Sequence, residues 1–303
     1  MMKTVEKRYN MPFRKYFAEH MIPQLYDEVS TELTSLLDPS RNWPLAFTTD
    51  TWTVENTVQS FMGLTAHWLT DEFCNMSFVL DCAPFDGHHT AEGLLATFNQ
   101  MLSKWNIDTT RCHVVLRDNA ANISKCFRVA GIPSLGCFVH TVQLCVHDGL
   151  LSQRAVSDIL SIARKLVGHF KHSSSATNHL KELQAELGLP AHQLIQDVCT
   201  RWNSTFYMLR HLCEPRRALS VYCSEVDGAA SLSAHQWSIA DNIVQLLAPF
   251  EECTREVSGD TARISLVTHF TLVEVLRNIL SREGANDAGI EGNCSGVTEC
   301  MFC

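Results

Sequence analysis

Three stretches of the chain place apolar residues at strand spacing and read as strands: Leu45–Val54, Ser60–Leu69 and Cys74–Cys82. Their separators, Glu55-Asn-Thr and Thr70-Asp-Glu, are short and polar, as antiparallel hairpins require. The period then becomes helical over Thr90–Trp105, where Leu94, Leu95, Phe98 and Leu102 share a face. His113–Arg117 predicts a fourth strand, Ala121–Ala130 a helix, Ser134–Val139 a short fifth strand, and Thr141–Leu151 a further helix. Ahead of the strands, residues 11–37 read as one or two supporting helices with apolar Phe17, Ile22, Leu25, Val29, Leu33, Leu36 and Leu37. Asp38-Pro-Ser-Arg-Asn-Trp-Pro44 breaks them.

The order β-β-β-α-β-α-β-α has one economical solution. A helix joining two strands makes them parallel with a right-handed crossover, while the opening hairpins are antiparallel. This predicts an α/β mixed five-stranded sheet in which the first and fourth strands are parallel neighbours, about 5 Å apart. From residue 152 the pattern is helical: Val156, Ile159, Leu160, Ala163, Leu166, Val167 and Phe170, then Trp237, Ala240, Ile243, Leu247 and Phe250, then Val267, Phe270, Val273, Leu276 and Ile279. Residues 284–296 have no period and several glycines, which predicts disorder. The expected division is an N-terminal helical segment at 1–40, a sheet core at 41–151, an incomplete helical domain at 152–282 and a disordered tail at 283–303.

Composition narrows the class. A chain of 303 residues that is 46% hydrophobic can bury a sizeable core. No run reaches the roughly 20 apolar residues of a membrane span, so no membrane partner is expected. Thirteen cysteines without framework spacing, and no apolar leader, predict reduced thiols in the cytosol or nucleus. The net charge of −9 is unevenly spread. Residues 1–150 hold 11 basic and 16 acidic side chains, residues 151–217 hold 9 and 5, and residues 218–303 hold 4 and 12. Only the middle segment, which also carries His169, His172, His179, His192 and His211, can attract a phosphate backbone. A mixed solvated helical face explains the same charges.

Two aspartates carry the candidate chemistry. Asp50 closes the first strand in Pro44-Leu-Ala-Phe-Thr-Thr-Asp, and Asp118 follows the fourth in Cys112-His-Val-Val-Leu-Arg-Asp. Carboxylates at neighbouring parallel strand ends do not both stay ionised cheaply without a cation between them. An oxygen-only pair suits Mg²⁺ or Mn²⁺, which would bind phosphate and activate a water or 3′-hydroxyl. Taken singly, each aspartate also fits a turn residue. Trp202, flanked by Arg201, Asn203 and Ser204, reads either as an exposed aromatic in polar company or as an anchor of the helical domain. Cys137 and His140, with Cys145 and His147 behind, form half of a zinc pattern. No second clean pair follows, so zinc is not expected, and a structural role near the active centre is.

These residues resemble the ordered blocks of hAT-superfamily transposases. Thr48-Thr-Asp-Thr-Trp-Thr53 resembles the first catalytic block, Arg117-Asp-Asn-Ala-Ala-Asn122 the second, and Gly136-Cys-Phe-Val-His-Thr-Val-Gln-Leu144 the Cys-x-x-His block. Thr200-Arg-Trp-Asn-Ser-Thr205 resembles the Arg-Trp block and Leu246-Leu-Ala-Pro-Phe-Glu-Glu252 a helical segment of the family's insertion. The likeness covers about residues 8–280 and is nearest to the transposase-derived zinc finger BED domain-containing proteins. It implies an RNase H-like fold with an all-helical insertion, with Asp50 and Asp118 as the first two members of a metal-binding acidic triad. It further implies that Trp52 and Trp202 face unpaired bases and that Arg201 contacts phosphate. No residue matches the third acid, since Glu251 and Glu252 belong to the insertion's own pattern and Glu274 lacks context. The chain also lacks a match to the BED finger and the C-terminal dimerisation region, and so reads as truncated. The expected function is that of a domesticated, catalytically inactive nuclear protein that binds DNA and regulates transcription. The alternatives are a protein-interaction scaffold acting on a related full-length transposase-like protein, and a metal-dependent DNA nuclease.

Overall fold

A computed structural model describes residues 12–41, 43–54, 59–85, 90–226, 228–258, 273–276 and 278. The chain divides into two compact units, Met1–Cys137 and Phe138–Cys303. The expected tail at 283–303 lies outside the described residues, as does most of the last expected helix. Its residues 273–276 and 278 are helical, and Leu276 is buried in the second unit's core.

The first unit is built on strands β1 (Leu45–Val54), β2 (Gln59–Leu69), β3 (Asn75–Phe85), β4 (Cys112–Arg117) and β5 (Ser134–Gly136). Their spatial order is β3-β2-β1-β4-β5. β1 pairs antiparallel with β2 and β2 with β3, whereas β1–β4 and β4–β5 are parallel. This is the mixed sheet that the strand and helix order predicts. Alternation sends Leu45, Phe47 and Thr49 of β1, and Met62, Leu64, Ala66 and Trp68 of β2, to one buried face. Against these pack Leu94, Phe98, Met101 and Leu102 of the helix Ala91–Lys104, and Ile123, Cys126 and Phe127 of the helix Ala121–Ala130. Phe98 stands edge-on to both Phe47 (6.1 Å) and Phe127 (5.0 Å).

Helix ends are marked by local chemistry. Thr90 Oγ1 accepts from the Gly93 amide at 3.1 Å, an N-cap for Ala91–Lys104. Gly131, at φ 67°, terminates Ala121–Ala130 in the left-handed conformation that glycine adopts without a β-carbon penalty. Trp105 Nε1 donates to the Leu80 carbonyl at 3.0 Å, tying the helix exit to β3.

Preceding the sheet, α1 (Ile22–Leu36) continues a helical run through Arg14–Tyr16 and Phe17–Met21. The stripe expected along it is only half used. Leu33 and Leu37 enter the core, while Phe17, Ile22, Leu25 and Val29 are exposed. The run extends beyond the sheet core that its last turn touches, and its first turns have no buried residue. The helices already described are α2 (Ala91–Lys104) and α3 (Ala121–Ala130).

The second unit is helical among its described residues: α4 (Phe138–Val146), α5 (Arg154–His172), α6 (Ser174–Glu186), α7 (Trp202–Cys213), α8 (Arg216–Glu225) and α9 (Ala234–Ser258). The fifth strand stops at Gly136, not Val139, and Phe138 opens the second compact unit. The cause is packing. Phe138, Val142, Cys145 and Val146 recur at helical spacing and bury in the helical core with Val156, Leu160 and Phe170.

Replacing Phe98, which is fully buried between two other rings, with alanine is expected to cost about 3–5 kcal/mol. Leu25→Ala, at a residue 60% exposed, should stay within about 0.5 kcal/mol. Guanidinium unfolding curves of the two variants check this contrast.

Candidate functional site

The β1–β4 register positions the acidic pair. The last paired rung is Thr48 with Leu116, and Asp50 and Asp118 each lie two residues beyond it. By strand alternation Asp50, still within β1, projects to the side of Thr48, opposite the buried core, while Asp118 directly follows the end of β4. Asp50 is exposed and Asp118 half-buried. One oxygen of each is occupied locally: Asp50 Oδ1 accepts from the Thr51 amide at 2.9 Å, and Asp118 Oδ1 from the Ala120 amide at 3.1 Å. The second bond closes a turn into α3, so Asp118 acts as a turn residue and keeps its other oxygen for a ligand. Arg117 braces this turn, its guanidinium donating to the Asp118 carbonyl (2.8 Å) and to Ser134 Oγ (3.2 Å). Gly136 leaves the space that Asn119 fills, because a β-carbon there would collide with the asparagine side chain.

The remaining oxygens, Oδ2 of each aspartate, are the atoms that could hold Mg²⁺ or Mn²⁺. The set fits such an ion, which takes one or two carboxylates and completes its shell with water or phosphate oxygens. When bound, it would supply Lewis acidity toward a phosphate. Among the described residues, the one cluster of three ligand-type side chains lies elsewhere, so no third acid, His or Cys groups with this pair.

Around the pair, the same sheet face carries Trp52, Phe61, Gly63 and His67. Asp50 pairs with Gly63 and Trp52 with Phe61. The Trp52 indole stacks on Phe61 (5.8 Å, 17°) and leans over Gly63, where a β-carbon would come within 3.3 Å of the ring. Trp52 is nonetheless 41% exposed, so an indole face stays available beside Asp50. His67 Nε2 meets Thr48 Oγ1 at 3.1 Å, and burial holds its imidazole below the usual histidine range.

Trp202 and Arg201 lie in the helical unit, at the start of α7, and they point in opposite directions. Trp202 is 0% exposed, edge-on to Phe250 at 6.5 Å. The expectation that it stacks on a base is therefore corrected: no base reaches a ring enclosed by the core. Its polar neighbours serve the backbone instead of solvent. Gln143 of α4 accepts from the Trp202 amide at 3.0 Å and donates to the Thr200 carbonyl at 3.1 Å. Ser204 Oγ bonds the Val198 amide (2.9 Å) and carbonyl groups of Val198 and Arg201. Arg201, the N-cap residue, is exposed, and its guanidinium makes no ion pair among the described residues.

Asp197 completes this junction with its side chain 1% exposed. It takes a bidentate fork from Arg164 (2.7–3.1 Å) and further bonds from Thr205 (3.0 Å) and Gln196 (3.1 Å). Burial pushes its carboxyl up, but these bonds and the Arg164 charge outweigh it and hold the group below the usual carboxylate range. Neither Gln143 nor Asp197 stands out in the sequence. The available signal was a lone amide on the apolar helix Phe138–Val146 and an acid just ahead of an Arg-Trp pair.

Cys137 and His140 do not join a metal cluster among the described residues. The Cys137 amide donates to the Arg117 carbonyl at 2.7 Å, behind the Asp118 turn, and His140 is half-buried on α4. Glu251 is engaged as an acceptor for Tyr207 at 2.5 Å, which, with burial, pushes the Tyr207 phenol up.

A mixed sheet of order 3-2-1-4-5 with acids past its central parallel strands, followed by a helical unit, defines an RNase H-like fold with a helical insertion domain. Comparison with known proteins agrees: residues 48–130 match the ZBED1 RNase-like domain and residues 135–246 the ZBED1 RNase-like helical domain. The chain belongs to the family of zinc finger BED domain-containing proteins derived from hAT transposases. It is 30% identical over 312 residues to zinc finger BED domain-containing protein 4 of Homo sapiens, a match covering 99% of this chain and 26% of the relative. Zinc finger BED domain-containing protein 6 of Homo sapiens is 27% identical over 88% of the chain and 28% of its own length. The putative AC transposase of Zea mays is 26% identical over 80% of the chain and 32% of its own length. The chain thus spans about a quarter to a third of these relatives, and it is transposase-like throughout the matched region.

Trp202→Ala should destabilise the helical unit by about 3–5 kcal/mol. Trp52→Ala removes one exposed stacked pair and should cost about 0.5–1.5 kcal/mol. Thermal unfolding of both variants, followed by near-ultraviolet circular dichroism, separates the anchor from the surface ring.

Proposed function

We propose that this chain is the DNA-binding body of a nuclear, catalytically silent transposase-derived regulator. The observation that carries the reading is Arg201: an exposed guanidinium at the head of α7, without an ion pair among the described residues, in the single segment whose charge balance is positive. Of that segment's nine cations, Arg164 and Arg216 are held by Asp197 and Asp241, while Arg154, Lys165, Lys171, Lys181, Arg210 and Arg217 are exposed. Such a distribution supports a sequence-independent phosphate contact, strong at low salt and screened at high salt. Trp52 adds an exposed ring on which an unpaired base could stack, worth about 1–3 kcal/mol.

Silence in catalysis is the second half of the proposal. Asp50 and Asp118 supply two carboxylates, and the described residues bring no third to them. Glu251, an acid of the insertion's own pattern, is committed to Tyr207. The pair then acts in this chain as a turn-former and a remnant of ancestry. Regulation of transcription and residence in the nucleus belong to the same reading, supported by kinship with both BED-finger proteins and transposases.

Electrophoretic mobility shifts with hairpin and nicked DNA at low salt test it. The chain should bind, Arg201→Ala should weaken binding on the order of 10-fold, and the slope of log affinity against log salt should fall by about 1. No binding at any salt would sink the DNA half of the proposal.

A further inference from the structure

The connection between α6 and α7, residues 187–201, runs without regular secondary structure and is longer than connections in compact domains usually are. It delivers Asp197 to its buried fork and Arg201 to the surface, so it must be held. Part of the hold is visible: Gln184 Nε2 donates to the His192 carbonyl at 3.1 Å, and Leu189 and Leu194 pack on the helical core.

At the same place three metal-type ligands converge. His192 on the connection faces His211 and Glu214 at the C-terminal end of α7, and one ligand atom from each lies within 4.8 Å of the other two. His192 Nδ1 is 2.9 Å, and His211 Nδ1 3.9 Å, from the same oxygen, Glu214 Oε2. The His211 Nδ1 atom is shielded from solvent and makes no hydrogen bond among the described residues. A buried ring nitrogen left in this state is rare and calls for a partner. Ordinary ion pairing accounts for His192 but leaves that nitrogen unexplained.

From this geometry we infer a zinc site: His192, His211 and Glu214 form a three-ligand clip that fastens the 187–201 connection to α7. The donor set, two imidazoles and a carboxylate, suits a borderline ion such as Zn²⁺ over Mg²⁺ or Ca²⁺. His211 and Glu214 sit three residues apart on one helix, a spacing that puts both on one face. A tetrahedral zinc with bonds of about 2.0–2.1 Å holds its ligands roughly 3.4 Å apart. With the atoms within 4.8 Å of one another, the widest separation closes by at most about 1.4 Å, within reach of side-chain rotation at half-exposed positions. Three protein ligands leave the fourth position to water. Binding would fix the path into Asp197 and Arg201 by a bond network independent of the hydrophobic core.

The test uses the whole chain, stripped with chelator and kept under reductant, titrated with Zn²⁺ alone. Wild-type protein should take up a zinc that the His192→Ala/His211→Ala variant does not, with affinity falling more than about 100-fold, beyond what loss of an outer partner costs. The control His179→Ala, a histidine paired with Glu225 elsewhere, should retain that zinc. X-ray absorption at the zinc edge should show nitrogen and oxygen at about 2.0–2.1 Å with imidazole scattering. Sulfur at about 2.3 Å would assign the ion to the cysteines and overturn the inference. So would absence of uptake, or uptake unchanged by the double substitution. Should the double variant fail to fold by circular dichroism, Glu214→Gln, which keeps size and hydrogen bonding, is read in its place with the same criteria.

Discussion

The parallel pairing of β1 with β4 is the constraint on which the site depends. After an irregular first rung at Leu45–Cys112, its rungs run in step from Ala46–Val114 to Thr48–Leu116, and the two aspartates sit equally far past the end. A slip of one residue would send one carboxylate to the opposite face, into Phe47, Val115 and their neighbours, where an ionised acid is untenable. The register is enforced from behind. Leu45, Phe47 and Val115 bury against α2 and α3 only in the observed alignment. Hydrophobic burial on one face thus fixes polar geometry on the other.

The helical unit has a comparable centre at the start of α7. One peptide segment turns Trp202 into the core and Arg201 out to solvent, and Gln143 holds the backbone between them by bonding the Thr200 carbonyl and the Trp202 amide at once. The Cys-x-x-His and Arg-Trp blocks, far apart in sequence, meet through that one amide. Asp197 adds a buried charge that is fully bonded, a condition under which an ion pair fixes conformation without an orphaned group.

Much of this was legible in the sequence, and the failures have physical causes. Strand alternation and hairpin separators gave the sheet order, because both are local signals with a fixed period. Direction at Trp202 was not legible. Its polar flanks, Asn203 and Ser204, resemble a solvated surface, but Ser204 is spent on loop carbonyls and the indole goes inward. The same limit moved the end of β5. Val139 extends an apolar run equally well as strand or helix, and only the partners of Phe138 and Val142 in the helical core decide. Along the helical run that ends in α1, the apolar stripe at Phe17, Ile22 and Leu25 promised burial that the structure does not provide, since periodicity describes a face and not what covers it. Gln143 and Asp197 stayed hidden because their roles exist only between segments brought together by folding.

Kinship places the chain among transposase-derived proteins, and among the described residues no third acid, His or Cys groups with Asp50 and Asp118. Whether the pair works is decided by incubating the purified chain with hairpin and supercoiled DNA in Mg²⁺ or Mn²⁺, beside Asp50→Asn and Asp118→Asn. The account predicts no strand cleavage above background and no difference among the three proteins. Metal-dependent cleavage by the wild type that vanishes in either variant would contradict it.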